Sequence, residues 1–569
     1  MAPAVVQNGN GVPQENGKRR KLHGRAFYES IGSPKLVLAP MVEQSEFAWR
    51  MLSRSFLPPT QQNALLAYTP MFHSKMFSEK SNYRDTHFQP LKSTIPSPVD
   101  EYHMSQLQEE ERHLDGNPSF DRPLTVQFCS NDPNDLLNAA RHVAPFCDAV
   151  DLNLGCPQGI AKRGKYGAFL QEQPDLIASM IRKLHDELDV PVTAKMRVLE
   201  TREKTLQYAK TLLDAGASII TVHGRRREQK GHNTGLADWT MIRHLRESLP
   251  KETVIFANGN ILQHDDIAAC LEATGADGVM SAEGNLYDPT IFAEPPLPGQ
   301  EGREYWRGRD GKGGYRMDAV MRRYLDIIHK YALGQEPPER RPLWMPGDPE
   351  EPPAQEHGAE EEEGEDGPPR KKRKQMSKSE KKKEKTSNPN LTAMQAHLFH
   401  LLRPLVAEHH NVRDALARSR TGDIDAFENV LTLTEKAVKE GISKYEHEHA
   451  NTTNSTTSEP KPTTTEENEA AVEELDPYES SLATVARCKR PYWVCQAYVR
   501  PLPKEAIEKG SMTVSKKEKK KLEQEAEQAV QKDDGEVEAV GLEPGGRVEK
   551  EGLGNGEVVE EPKEGLVCG

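Results

Sequence analysis

Eight short apolar runs recur through the N-terminal half of this chain, most of them separated by stretches of helical periodicity. That alternation limits the possible folds more than any other feature. The runs cover residues 36–40, 65–69, 124–129, 149–154, 192–197, 219–223, 254–257 and 278–281. Amphipathic stretches such as 175–188, 203–215 and 239–249 lie between them. A short continuous apolar run suits a parallel strand covered on both faces, and the helix after it returns the chain to the same edge of the sheet. Eight such units predict an α/β fold, a closed (β/α)8 barrel over residues 33–298.

The chain has 569 residues, too many for one ordinary domain, and only 35% are apolar while 29% are charged. Parts of it are therefore expected to stay unpacked. Residues 1–32 read as a disordered tail. A helical domain is expected over 316–445, with helical patterning at 316–333, 391–408, 412–419 and 424–439. A Pro/Glu/Lys-rich disordered insertion at 347–389 interrupts it. A linker follows at 451–475. The aromatic segment 478–503 is expected to pack back on the folded part, and 504–569 is a charged disordered tail.

The net charge of −14 argues against nucleic acid only if charge is evenly spread. Here the acid is concentrated at 360–366, 466–474 and after 523, which leaves the folded parts free to present a basic face. Seven scattered cysteines suggest a reducing compartment. No run approaches the roughly 18 apolar residues of a membrane span. Cys488 and Cys495 fall short of a zinc site without a second pair, so no metal is expected. Basic clusters at 18–21, 370–374 and 516–521 suit nuclear addresses or RNA-touching tails. Cytoplasm, nucleus or both are the expected locations, and a monomer is the expected state.

Barrel enzymes carry their chemistry where strands end. Pro40 and Met41 end the first run, Gln127 lies in the third, and Asn153 with Cys156 ends the fourth. Lys195 and Arg197 end the fifth, His223 and Arg225 the sixth, Asn258-Gly259-Asn260 the seventh, and Ala282-Glu283-Gly284 the eighth. The last two turns are where barrels commonly hold a phosphate on backbone N–H groups. Lys195, in an apolar run, needs a partner: a flavin edge is one reading, a structural carboxylate the other. Gln127 could pair with an imide edge or be a satisfied barrel amide. His223 could reach a phosphate or a ring, although a satisfied core histidine is the commoner case.

Cys129, Cys147 and Cys270 read as inert buried thiols. Cys156 differs, because Pro157 ends its strand and a basic, Gly-containing loop follows. That loop could close over a substrate, offering Lys162, Arg163 and Lys165 to a phosphate backbone while the thiol delivers a proton.

These segments resemble the tRNA-dihydrouridine synthase family. The resemblance is carried by Leu38-Ala-Pro-Met-Val42, Asn153-Leu-Gly-Cys-Pro157, Thr193-Ala-Lys-Met-Arg197, His223-Gly-Arg225 with Arg227-Glu-Gln229, Asn258-Gly-Asn260 and Asp277-Gly-Val-Met-Ser-Ala-Glu-Gly284. These span roughly half the chain. The last of them, with Cys495-Gln-Ala-Tyr-Val-Arg-Pro501, looks like the eukaryotic branch acting on uridines 16 and 17 of the tRNA D-loop. One departure is that many members have Gly-Arg where this chain has Ala282-Glu283. Backbone donors or another cation must then meet the cofactor's phosphate.

The resemblance implies FMN, reduced by NADPH or NADH, and hydride transfer from N5 to C6 of a uracil. Cys156 would protonate C5. It implies cofactor contacts from Pro40, Met41, Val42, Gln127, Lys195, His223, Asn258, Gly259, Asn260, Ala282 and Glu283. Substrate contacts would come from Asn153, Lys162, Arg163, Lys165 and Arg225. The partner would be tRNA, with mRNA a further candidate, gripped by Arg322, Arg323, Arg403 and Arg413 of the helical domain. Two alternatives stay open at this stage: a flavin barrel acting on a small molecule, and a non-catalytic RNA-binding relative.

Overall fold

The computed structural model describes residues 21–96, 106–349, 386–453 and 480–508. The acidic blocks, the basic clusters at 370–374 and 516–521, and most of the insertion, linker and tail lie outside the described residues.

The eight apolar runs form strands β1 (Leu36–Leu38), β2 (Leu65–Tyr68), β3 (Leu124–Cys129), β4 (Ala149–Leu154), β5 (Val192–Arg197), β6 (Ile219–His223), β7 (Val254–Asn258) and β8 (Gly278–Ser281). Every neighbouring pair is parallel, and β1 pairs with both β2 and β8, so the sheet closes into a barrel. Helices such as Pro174–Glu187, Arg202–Asp214 and Trp239–Ser248 return the chain between strands. The N-termini of the last two are fixed by side chains. Thr201 accepts the Lys204 N–H, and Asp238 accepts those of Thr240 and Met241.

The barrel interior is polar. Tyr68 on β2 brings its hydroxyl among Thr125, Thr193 and Thr221 on β3, β5 and β6. Since β5 and β6 are not neighbours of β2, those groups can meet only across the lumen. Alternation along a strand then explains the sequence. In β4, Asp151 and Asn153 share the lumen face with Gln127 and Thr193, while Val150, Leu152 and Leu154 face the surrounding helices. Register sets Gln127 beside Asp151, Asn153 beside Lys195, Arg197 beside His223, and His223 beside Asn258.

Outside the barrel, several expectations need correction. The tail expected to reach residue 32 is folded from residue 21, and Gly24–Ser30 is a helix. Its Phe27 and Tyr28 are buried, Tyr28 donates to the Asp277 carbonyl at 3.0 Å, and Arg25 pairs with Asp277 at 2.6 Å. Two adjacent aromatics suffice to dock this short helix, though its polar surroundings hide the signal. An antiparallel hairpin, Tyr305–Arg307 with Gly313–Tyr315, precedes the helical region and was not expected. The helix expected over 316–333 runs Met317–Ile327 and relaxes into a π-helical turn over Ile328–Ala332. The stretch 391–408 is broken into three short helices, the last opening with Pro404 near its start, where a missing N–H costs nothing. Ile424–Thr453 runs well past residue 439.

The helical region is joined to the barrel through buried groups. The His397 ring stacks on Trp49 at 3.9 Å, and its Nε2 lies 2.8 and 3.0 Å from the Glu46 carboxylate oxygens. Asn390 accepts the Ala48 N–H at 2.8 Å. The C-terminal segment returns to this body. After the Ser481–Cys488 helix, Trp493 accepts the Met317 N–H, and Cys495 donates to the Tyr315 carbonyl, each at 2.9 Å. Among the described residues, no helix is long and apolar enough to cross a membrane.

Candidate active site

Cys156 sits in a turn tied to three strands. Asn153 Oδ1 accepts the backbone N–H groups of Cys156 at 2.9 Å and Gly155 at 3.2 Å. Its Nδ2 donates to Gln127 Oε1 at 2.8 Å, and Gln127 Nε2 donates in turn to Asp151 at 2.8 Å. Thr193 donates to the other Asp151 oxygen at 2.6 Å. From the far side, Arg197 Nε donates to the Gly155 carbonyl at 2.7 Å. Burial pushes the Asp151 carboxyl up to about 6, against bonds from Thr193 and Gln127 and the nearby charge of Lys195. Sequence reasoning missed Asp151. The signal was a carboxylate two residues before Asn153 in an otherwise apolar strand.

The loop after Cys156 is a packed cover in this structure. The helix Gly159–Gly164 ends in a left-handed Lys165, and the chain folds back through Gly167–Leu170. Gly167, at φ +64°, leaves no room for a Cβ, which would meet the Cys156 carbonyl at 2.8 Å. The thiol residue is only 1% exposed, among Cys129, Ala161 and Tyr166. Lys162, Arg163 and Lys165 lie on the exposed outer surface of the cover. The loop after β6 clasps it, with Lys230 donating to the Pro157 carbonyl at 2.7 Å and Arg227 to the Ala168 carbonyl at 3.2 Å. Cys129, Cys147 and Cys270 are buried as well, and burial pushes each of those thiols up.

Lys195 is 3% exposed, and its charge acts on both Asp151 and His223. His223 is fully buried, and burial together with the charges of Arg197, Lys195 and Arg225 holds its pKa well below the usual range, so the ring is neutral near pH 7. Arg225 Nη1 lies 3.2 Å from His223 Nε2. A guanidinium can only donate, so Nε2 accepts and the ring proton sits on Nδ1. That Nδ1, and the Oδ1 of the adjacent Asn258, are buried with no hydrogen-bond partner among the described residues. Neighbouring strands thus each leave one buried polar atom unpartnered, a donor on His223 and an acceptor on Asn258.

A cavity of about 1090 Å3 opens over the ends of β6, β7 and β8. Arg225, Asn258, Gly259, Asn260, Ala282 and Glu283 line it, as does Pro157 next to the thiol. Cys156, Asn153, Gln127, Lys195 and His223 are buried and do not form its wall, nor do Pro40, Met41 and Val42 on the β1 rim. Its turn after β7 is rigid. Asn260, at φ +63°, accepts from Arg225 Nη2 at 2.8 Å and from the Ala237 N–H at 2.9 Å. Across the cavity, Arg500 binds Glu283 Oε1 through Nε at 2.9 Å and Nη2 at 2.7 Å. Among the described residues, six cations line the wall (Arg197, Arg225, Lys230, Arg403, Arg487 and Arg500), against the single carboxylate of Glu283. Such a wall concentrates anions.

Of the arginines expected to grip RNA, Arg403 lies on this wall, its guanidinium 3.6 Å from the Tyr498 ring centroid. Arg322 is held by Glu435 at 2.5 Å, and Arg323 donates to the Ser55 carbonyl and pairs with Glu304. Arg413 is exposed beside Asp414. Arg322 therefore braces two helices of the helical region, and Arg323 ties that region to the barrel helix ending at Ser55.

A closed parallel barrel with its polar groups at the C-terminal strand ends defines a barrel-enzyme scaffold. The family model described as "Dihydrouridine synthase (Dus)" matches residues 37–302. The chain is 40% identical over 484 residues to a Schizosaccharomyces pombe protein named tRNA-dihydrouridine(16/17) synthase [NAD(P)(+)], covering 85% of this chain and 92% of that one. A Saccharomyces cerevisiae protein of the same name is 39% identical over 502 residues, with 88% and 90% covered. A human tRNA-dihydrouridine(20a/20b) synthase-like protein is 32% identical over 267 residues, 46% of this chain and 72% of that one. This chain belongs to the dihydrouridine synthase family.

Proposed function

We propose that this chain reduces uridine to 5,6-dihydrouridine at positions 16 and 17 of tRNA, with FMN as cofactor and NADPH or NADH as reductant. The observation that carries the reading is the cation-rich cavity bounded by Pro157, next to the thiol, and by the turns after β7 and β8. The residues present fit FMN. Its phosphate suits the cationic wall, and its ring edge, which carries donors and acceptors, suits Asn258, which lines the cavity and keeps a buried Oδ1 without a partner among the described residues. Lys195 adds a buried positive charge beside His223. Bound there, FMN supplies the two-electron chemistry between the nicotinamide and the base.

Saturating the C5–C6 bond requires a hydride at C6 and a proton at C5, so one NAD(P)H and one proton are consumed for each uridine. Cys156 Sγ holds the proton for C5. Asn153 and Arg197 fix the turn that carries it. The cover over Cys156 must lift before a base can meet the thiol, and its outer lysines and arginine are placed to follow the RNA backbone as it does so. The target base must also leave its stack, at a cost of about a few kcal/mol.

The test is site-resolved dihydrouridine content in tRNA from cells carrying the wild-type chain or only Cys156→Ala. Loss at positions 16 and 17, with flavin still bound to the purified variant, is the expected result. Full modification by Cys156→Ala would overturn the assignment of the proton donor. Unchanged tRNA in cells lacking the chain would overturn the D-loop assignment.

A further inference from the structure

The turns that face the cavity from β7 and β8, Asn258-Gly-Asn260 and Ser281-Ala-Glu-Gly284, carry no cation and one carboxylate. A phosphate monoester carries nearly two negative charges at neutral pH. Backbone N–H groups alone would leave that charge poorly compensated, and Glu283 opposes it. The cations must come from elsewhere. Arg225 is supplied by the loop after β6, and Arg500 by a segment 217 residues beyond Glu283.

Arg500 is held in place by more than its ion pair. Tyr498, two residues before it, packs on Tyr287 at 5.6 Å, on the same short helix as Glu283. Arg403 lies over the opposite side of the contact, 3.6 Å from Tyr498 and 6.0 Å from Tyr287. Arg500 is close enough to disfavour the charge of Arg225, and Glu283 favours it. Arg225 and Arg500 both line a cavity wall on which Glu283 is the one carboxylate among the described residues, a setting that attracts a further anion.

We propose that the C-terminal segment, through Arg500, supplies a cation for the phosphate of the bound flavin mononucleotide, so that cofactor and segment hold each other in place. This rests on the flavin reading above. Glu283 then acts as a positioning residue, aiming Arg500 at the phosphate rather than competing with it. The position that lacks an arginine on the β8 turn is served from the far end of the chain.

The experiment uses the full chain stripped of flavin and measures dissociation constants for FMN and for riboflavin by quenching of flavin fluorescence. The two probes differ only in the phosphate. Arg500→Ala is expected to weaken FMN by about tenfold to a hundredfold, the size of one charge-assisted hydrogen bond. Riboflavin binding should be unchanged, and Arg500→Lys should recover part of the loss. The Arg500 side chain is 34% exposed, so its removal leaves the core intact. Equal losses for both flavins, or unchanged FMN binding, would overturn the proposal and leave the ion pair as a docking contact. If the wild-type chain binds neither flavin, the underlying flavin reading fails instead.

Discussion

Asn153 accepts the backbone N–H of Cys156 at 2.9 Å while donating to Gln127 at 2.8 Å, so the Cys156 turn is held by a side chain anchored to the neighbouring strand β3 on the lumen face. Removing that side chain should loosen the turn without touching the thiol. Asn153→Ala is expected to cut single-turnover dihydrouridine formation by about ten- to a hundredfold, reflecting one or two lost buried hydrogen bonds. It should also speed alkylation of Cys156 by iodoacetamide. An unchanged alkylation rate together with unchanged turnover would show that the turn stands without Asn153.

The cover presents Lys162, Arg163 and Lys165 to solvent. Replacing all three by Ala should raise the KM for tRNA and leave kcat nearly unchanged. If each contacts one phosphate, the slope of log affinity against log salt should fall by about 2 to 3. A salt dependence identical to wild type would place the RNA elsewhere.

Asp151 links stability to pH. Its folded pKa, about 6, lies above its ordinary value of 3.8 because burial disfavours the charged form. Between those values the folded chain binds more protons than the unfolded chain. The stabilising contribution of this group is therefore complete below about pH 4 and is lost as pH rises through about 6. Two pKa units correspond to about 3 kcal/mol as an upper bound. Asp151→Asn should remove this component, so the gap between wild-type and variant urea midpoints should change between pH 4 and pH 7. Parallel midpoints across that range would sink the claim.

The pair of Glu46 and His397 under Trp49 joins barrel to helices. His397→Ala leaves the Glu46 carboxylate buried without its partner and removes the stacked ring. The expected loss is about 3–5 kcal/mol in chemical unfolding. Loss of less than about 1 kcal/mol would show that the joint is held mainly by surrounding apolar contacts such as Leu398 and Leu401.

Much of the barrel was legible in the sequence because short, mostly apolar runs recur between helical stretches; 149–154 and 192–197 coincide with β4 and β5. The polar lumen also left a trace, in Asp151 and Asn153 alternating with Leu152 and Leu154, although only Asn153 was singled out. Helix 24–30 was hidden because only two aromatics in a polar stretch carry it. The hairpin at Tyr305–Arg307 and Gly313–Tyr315 was hidden because strands of three residues are too short to show a period. The pairing of Arg500 with Glu283 had no local signal at all. The sequence showed a missing cation at Ala282-Glu283, and contact across 217 residues is a product of the tertiary fold. Arg322 and Arg323 illustrate the converse, since a basic helix face reads the same whether it meets RNA or the carboxylates of Glu435 and Glu304.

The last wall of the cavity is formed by Tyr498–Leu502, whereas the final barrel strand is complete at Ser281. During synthesis the barrel leaves the ribosome first and can fold as a unit, with its cavity still open on one side. A chain ending between those points would keep the barrel strands and the Cys156 segment in its sequence but lack Tyr498–Leu502 from the cavity wall. A change far along the chain from the barrel strands can therefore reach this cavity directly, through a wall the barrel itself does not supply.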